Sequence, residues 1–244
     1  MKIIFLGIDY CDYPLIREKR VKYIRYTCGL QPLSKAIDQI GSCNSVERHL
    51  FITGGQPSSE HRRLFESAHA CSSNQLQDFS GYLEAAEFFR LHYASTEAIP
   101  VFFNSSCPPS YLDRTARSLI NKKNDSIISK EIIISPAISY LFRRKYLWAF
   151  RPHLQSYCFA MHKSVVGDLI RFISTVNQSG LAEKKDFIEK LELGMSKFFM
   201  EVSPDLIHYC GKSDKLISLA DVAGVLRSNP YCLLDPRLSG ISNI

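Results

Sequence analysis

In the first half of the chain, short apolar runs of strand length alternate with segments whose apolar residues recur at helical spacing. Residues 2–9 are nearly all apolar with little alternation, the pattern of a strand covered on both faces. Leu33, Ile37 and Ile40 then mark one side of a helix predicted over 32–40 and stopped at Gly41. Residues 49–53 read as a second strand ending at Gly54-Gly55. Pro57-Ser58-Ser59-Glu60 opens a further helix, with Ser58 as its cap, predicted to run to about Ala68. Residues 81–92 carry Leu83, Ala86 and Phe89 or Arg90 at helical period, and 101–104 form the next strand. Strands alternating with helices predict an α/β fold, a mostly parallel sheet with helices on both faces.

The second half is less regular. Residues 132–135 and 156–161 are predicted strands, 165–176 and 187–199 predicted helices, and 177–180 a turn. From about Ala220, Pro230, Pro236 and Gly240 point to a loosely structured tail around one short helix. The expected organisation is a single α/β domain over 1–219 with a helical C-terminal part, followed by a tail over 220–244.

The N-terminal run Met1 to Asp9 has the outline of a signal peptide. Its apolar core is short and Asp9 and Asp12 follow at once, so a first buried strand is the better reading. No apolar run approaches the ~20 residues a spanning helix needs. The eight cysteines show neither Cys-x-x-Cys nor paired Cys/His spacing, so reduced core thiols in a cytoplasmic protein are expected rather than a zinc site.

The net charge of +6 is modest but uneven. Arg17, Lys19, Arg20, Lys22 and Arg25 crowd one segment, interleaved with Ile16, Val21, Tyr23, Ile24 and Tyr26, and Arg143, Arg144 and Lys145 form a second cluster. Such clusters attract phosphates on nucleotides or lipid-linked acceptors, or an anionic bilayer surface, and the same residues serve equally as a solvated face. If 17–25 is a helix, it could dock on anionic lipid, placing a cytoplasmic protein peripherally on the inner membrane. No nucleic-acid motif accompanies the charge, so nucleic acid is not an expected partner.

In open α/β sheets the ligand lies beyond the carboxyl ends of the strands. That rule puts Asp9, Thr53 and Asn104-Ser105-Ser106 on one rim. The strand ending in Asn-Ser-Ser before Cys-Pro-Pro exposes an amide and two hydroxyls at a sharp turn, able to bind a sugar hydroxyl, a phosphate or, weakly, magnesium. His153 and Gln155 precede a strand, where an imidazole can deprotonate a hydroxyl or stabilise a pyrophosphate leaving group. Glu192 sits on a helix whose apolar side carries Ile188, Leu191, Met195 and Phe198 or Phe199. Taken singly, an ordinary turn, a hydrogen-bonded histidine and a solvated carboxylate are the better explanations of these residues.

The ordered set Phe-x-Asn-Ser-Ser (102–106), His-x-Gln-Ser-Tyr-x-Phe (153–159) and Glu-x-Gly-x-Ser (192–196) resembles bacterial polysaccharide glycosyltransferases of the rhamnan-synthesis type, which have the GT-A nucleotide-sugar fold. Gly81-Tyr82-Leu83-Glu84-Ala85-Ala86 looks like the segment that precedes that family's central strand. The resemblance spans roughly 75–200.

The resemblance implies transfer of a sugar from a nucleotide-sugar donor to a saccharide or lipid-linked acceptor in cell-surface polysaccharide synthesis. Glu192 falls at the general base and His153 beside it, with Gln155 and Ser156 on the acceptor side. Asp9, Thr53, Asn104, Ser105 and Ser106 would bind the donor. Asn104-Ser105-Ser106 stands where such enzymes usually carry Asp-x-Asp, and both aspartates are missing. A magnesium or manganese ion on the diphosphate normally needs a carboxylate, so its use is in question and the basic clusters could neutralise the diphosphate instead. The same departure suits the alternative expectation, a non-catalytic carbohydrate- or nucleotide-binding scaffold of a polysaccharide-assembly complex.

Overall fold

A computed structural model describes residues 1–21, 24–121, 132–144, 147–176, 181, 183–203, 205–210 and 216–221. Strand β1 (Lys2–Tyr10) leads into a hairpin of β2 (Arg17–Val21) and β3 (Ile24–Cys28), then α1 (Leu30–Gly41) and β4 (Val46–Thr53). Helix α2 (Ser59–Leu64), β5 (Ser67–Ala70), α3 (Asp78–Tyr93), β6 (Ala98–Asn104) and α4 (Pro109–Asn121) complete the first half. The second half holds β7 (Ile133–Ser135), the pair β8 (Ile138–Arg144) and β9 (Leu147–Leu154), β10 (Cys158–Met161) and α5 (Val166–Thr175). A last helical stretch begins with α6 (Lys184–Phe187), widens into a π-helical run at Ile188–Leu193 and continues as α7 (Gly194–Val202), before β11 (Ile207–Cys210) and β12 (Leu216–Ser218).

Eight strands form one sheet in the order β12-β11-β7-β10-β6-β1-β4-β5. β1 lies between β4 and β6 and runs parallel to both. Its interior position explains why it is apolar throughout. Ile4, Leu6 and Ile8 pack with α3, α5 and α7 on one face, while Ile3 and Phe5 pack with α1 and α4 on the other. β10 is antiparallel to β6 and β7, and β11 is parallel to β7. This is the expected α/β, Rossmann-like architecture, with helices α5 to α7 in the C-terminal part.

Several expectations are corrected. Residues 17–21 and 24–28 pair as antiparallel strands rather than forming a helix. The helix capped by Ser58 stops at Leu64: Phe65 turns to extended backbone and 67–70 joins the sheet edge beside β4. The cap itself forms, with the Ser58 hydroxyl accepting from the His61 amide and the His61 ring accepting from the Ser58 amide. Helix α3 begins at Asp78 rather than Gly81, because Phe79, Tyr82, Ala85, Ala86 and Phe89 are its buried side. His153 lies within β9, not ahead of a strand. Helix α4 and strands β8, β11 and β12 add to the expected elements. The predicted turn at 177–180 and the tail beyond 221 lie outside the described residues. Among the described residues no helix is long and apolar enough to cross a membrane.

Candidate functional site

The parallel register brings the predicted rim together. Tyr10 pairs with Thr53 and Ile8 with Asn104, so the carboxyl ends of β1, β4 and β6 finish side by side. The Thr53 hydroxyl donates to the Asp9 carbonyl at 3.3 Å. The turn after β6 is pinned from three sides: the Ser105 amide donates to Ile8 O (3.0 Å), the Asn104 amide to Tyr157 O (3.2 Å), and the Gly29 amide to Ser105 O (2.8 Å). Gly29 has φ +108°, and a Cβ there would lie 2.4 Å from the Leu15 carbonyl, so only glycine closes this junction without displacing backbone.

Asn104 is spent on organisation. Its Oδ1 accepts from the Ser106 amide at 3.0 Å, and its Nδ2 donates to Asp78 Oδ2 at 2.7 Å, tying β6 to the first residue of α3. Asp78 enters here as a site residue that periodicity did not single out, since it lies ahead of the helical pattern. Burial holds its carboxyl above the usual range, against the opposing pull of Asn104, Lys19 and Arg17.

Asp9 is 1% exposed, and neither carboxylate oxygen has a well-formed hydrogen-bond partner among the described residues. Desolvation pushes its pKa from 3.8 up to about 6; the nearby Ser105 side chain, the Tyr10 amide and the Arg17 charge pull the other way without prevailing. Arg17 Nη2 stands 4.0 Å from Asp9 Oδ1. The same guanidinium donates to the Ser105 hydroxyl and lies over the Tyr13 ring, 4.2 Å from its centroid. Two residues along β2, Lys19 Nζ donates to Ser106 Oγ at 2.6 Å. The hairpin thus lays cations over the end of β6, on the face shared by alternate strand residues. Period-two alternation of Arg17 and Lys19 was the available signal; reading the segment as a helix hid it.

The other wall is built from β9, the segment before β10 and the last helical stretch. Ser156 Oγ donates to Glu192 Oε1 at 2.5 Å, and the buried Tyr82 hydroxyl of α3 donates to the Ser156 carbonyl. Ser196 Oγ accepts from the Leu154 amide and donates to the Glu192 carbonyl, both at 3.1 Å, which fastens the helix to β9. The Gln-Ser-Tyr and Glu-x-x-x-Ser elements are therefore the two halves of one interlock. Glu192 lies in the π-helical run, where Leu191 and Leu193 are both buried and the half-buried carboxylate projects between them; such widened turns recur at functional sites.

Leu76, Gln77, Asp78, Phe79, Ser156, Phe187, Ile188, Leu191 and Glu192 enclose a cleft of about 120 Å³. The carboxylate at 192 and, through Asp78, the amide at 104 meet across this space. His153 is buried, 2% exposed, and Gln155 is 9% exposed, its amide donating to Ala137 O at 2.9 Å; neither lines the cleft.

The Asn104-Ser105-Ser106 turn does not itself suit a divalent cation. Its two hydroxyl oxygens accept from Arg17 and Lys19, and the Asn104 carbonyl oxygen accepts from a backbone amide; the carboxylates nearby belong to Asp9 and Asp78, with Arg17 already 4.0 Å from Asp9. Hard cations want charged oxygen ligands at close range. Among the described residues, the group able to share an ion is Glu47, His49 and Glu66. It lies toward the start of β4, with Glu47 roughly 20 Å and His49 roughly 13 Å from Thr53 at the strand's rise.

No protein-family model matches the chain, and no curated protein matches it. Among solved structures it is similar to a 4-diphosphocytidyl-2C-methyl-D-erythritol synthase (9% identity, TM-score 0.46, covering 96% of this chain and 98% of that one). It is also similar to a cytidylyltransferase from Leptospira borgpetersenii (13%, 0.44, 96% and 98%) and a CMP:2-keto-3-deoxy-manno-octonic acid synthetase complexed with CTP (7%, 0.43, 93% and 99%).

Proposed function

We propose that this chain is a glycosyltransferase that moves a sugar from a nucleotide-sugar donor to a saccharide or lipid-linked acceptor in cell-surface polysaccharide synthesis. One observation carries the reading: Asp78, Ser156 and Glu192, from three separate stretches of chain, face a single cleft beside the carboxyl ends of β1 and β6. The cleft is smaller than the ~300–1,000 Å³ of pockets that enclose a whole ligand. It suits one sugar, with the nucleotide extending from it toward Asp9 and Thr53.

Glu192 then takes the acceptor proton as the acceptor oxygen attacks the anomeric carbon, and the nucleoside diphosphate leaves. Ser156, held by Tyr82, fixes the carboxylate's direction. Asp78, held by Asn104, orients sugar hydroxyls. Gln155 shapes the acceptor side from behind this wall, and His153 supports it from within β9. The test is a panel of nucleotide sugars incubated with the protein, with and without candidate saccharide acceptors, followed by release of nucleoside diphosphate. Release from one donor in the native protein, lost in Glu192→Gln, is the expected result.

The second reading, a non-catalytic nucleotide- or carbohydrate-binding scaffold, draws on Asn104-Ser105-Ser106 standing where carboxylates would hold an ion. Binding of a donor with no release across the panel would favour it.

A further inference from the structure

Arg17 and Lys19 are the cations placed at the exit of β6, and their arrangement is built rather than incidental. They are two apart on β2, so both side chains leave the same face of the hairpin and reach consecutive hydroxyls, Ser105 and Ser106. The hairpin is registered by pairing of Arg17 with Cys28 and Lys19 with Tyr26. The Tyr26 hydroxyl also reaches the Ser106 carbonyl, at 3.5 Å. Gly29, just past β3, binds Ser105 through its amide, which locks hairpin and turn to one another.

The Arg17 side chain is 14% exposed and stacked on Tyr13, and its Nε has no hydrogen-bond partner among the described residues. A buried guanidinium donor without an acceptor costs stability unless a ligand supplies one. Among the described residues, the carboxylates of Asp9 and Asp78 lie close enough to feel the pair, and burial raises the pKa of both. A diphosphate brings several negative charges and many acceptor oxygens. It needs either a divalent ion gripped by carboxylates or fixed cationic donors, and arginine's planar fork suits phosphate oxygens.

We propose that Arg17 and Lys19 form a metal-independent binding site for the diphosphate of a nucleotide, replacing a divalent cation at the end of β6. The inference rests on the nucleotide-sugar reading above. Ser105 and Ser106 hold the two cations ready when the site is empty and yield them to phosphate oxygens when it fills. During transfer the same pair stabilises the negative charge that develops on the departing diphosphate, a fixed field requiring no rearrangement at that moment.

The test is calorimetric titration of the native protein with UDP, GDP, CDP and dTDP and with the matching nucleosides, first in EDTA and then in excess magnesium or manganese. One diphosphate is expected to bind in EDTA with an affinity that added metal leaves unchanged. Arg17→Ala and Lys19→Ala are each expected to weaken it by roughly ten- to hundredfold, the loss of one hydrogen bond to a charged group, while the matching nucleoside binds as before. Retained nucleoside binding reports that each variant is folded. A diphosphate that binds only with metal overturns this inference and leaves the glycosyltransferase reading standing, as does unchanged diphosphate affinity in both variants. If no diphosphate binds in either condition, both fall together.

Discussion

The Ser156 hydroxyl donates to Glu192 Oε1 at 2.5 Å, joining residues 36 apart in sequence at the wall of one cleft. The Ser156 carbonyl is held in turn by the Tyr82 hydroxyl, which ties the backbone that carries the serine to α3. Glu192 is therefore aimed by three elements rather than by its helix alone. Glu192→Gln preserves shape and removes the proposed base. It is expected to leave nucleotide binding intact and lower the transfer rate by about 10²- to 10⁴-fold. Ser156→Ala loses aim but keeps the carboxylate, so a smaller fall of roughly tenfold is expected, about the worth of one hydrogen bond. Steady-state rates on the donor found by the panel separate the two.

Asn104 gives a second prediction. Replacing it by Ala removes the donor that Asp78 Oδ2 relies on and the acceptor of the Ser106 amide. Two groups lose their partner at once, and the expected cost is about 1–3 kcal/mol, measured by urea denaturation. Asn104→Asp keeps the acceptor but sets a carboxylate against Asp78. That variant is expected to destabilise at neutral pH and to recover in acid, where one carboxyl takes a proton.

Much of the site was legible because parallel strands align their ends. Once β1, β4 and β6 were assigned from apolar runs, Asp9, Thr53 and Asn104 had to share a rim, and they do. The interlock of 153–159 with 192–196 was legible as motif but not as contact, since nothing in local periodicity says that Ser196 bonds the Leu154 amide. Asp78 was missed because the helical pattern was read from Gly81, and a polar residue ahead of it adds no apolar signal. The β2–β3 hairpin was missed because short strands with charges on one face resemble an amphipathic helix over so few residues. The short edge strands β11 and β12 depend on partners far away in the chain, and local patterning is weakest there.

The close approach of α3 to β1 is a third testable feature. A Cβ on Gly81 would fall 2.5 Å from Ile8 Cγ2, well inside contact distance, with Ile8 itself wholly buried. Gly81→Ala is expected to push α3 off the sheet and destabilise by about 1–3 kcal/mol despite alanine's better helix propensity. Because Asp78 begins the same helix, ligand binding is expected to weaken in parallel. A stabilised variant in thermal denaturation would show that the helix can shift without strain.

A fourth prediction concerns acid. Around the start of β4, the Tyr93 hydroxyl donates to Glu47 and so accepts from His49 Nε2 at 2.8 Å. His49 Nδ1 is then the acceptor for the Ser67 hydroxyl (2.8 Å), which accepts from His69 Nε2 (2.7 Å). The chain fixes His49 as the neutral Nε2–H tautomer and makes His69 Nε2 a donor. Burial lowers the pKa of both, helped for His69 by His92 and Arg62 and opposed for His49 by Glu47. Folded-state values below the unfolded 6.5 mean that this stability is present above pH 6.5 and is lost as pH falls through the folded values. His49→Gln, which cannot titrate, is expected to flatten the loss between pH 6.5 and 5 in urea midpoints.

Asp9 works in the opposite direction and gives the most decisive measurement. Its carboxyl is raised from 3.8 in the unfolded chain to about 6 in the folded protein, chiefly by burial. The unfolded chain therefore releases this proton first. The contribution is favourable below pH 3.8 and is lost as pH rises through 6, leaving a penalty at neutral pH on the order of 3 kcal/mol from a shift of about two units. Asp9→Asn has no such proton to lose. It is expected to be more stable than the native protein at pH 7.5, by about 1–3 kcal/mol, with the difference vanishing near pH 4. A buried charge that weakens the fold persists where a ligand needs it. The same variant is accordingly expected to bind nucleotide more weakly while melting higher. If Asp9→Asn melts lower at pH 7.5 yet binds nucleotide normally, the residue serves packing and the rim loses its place in donor recognition.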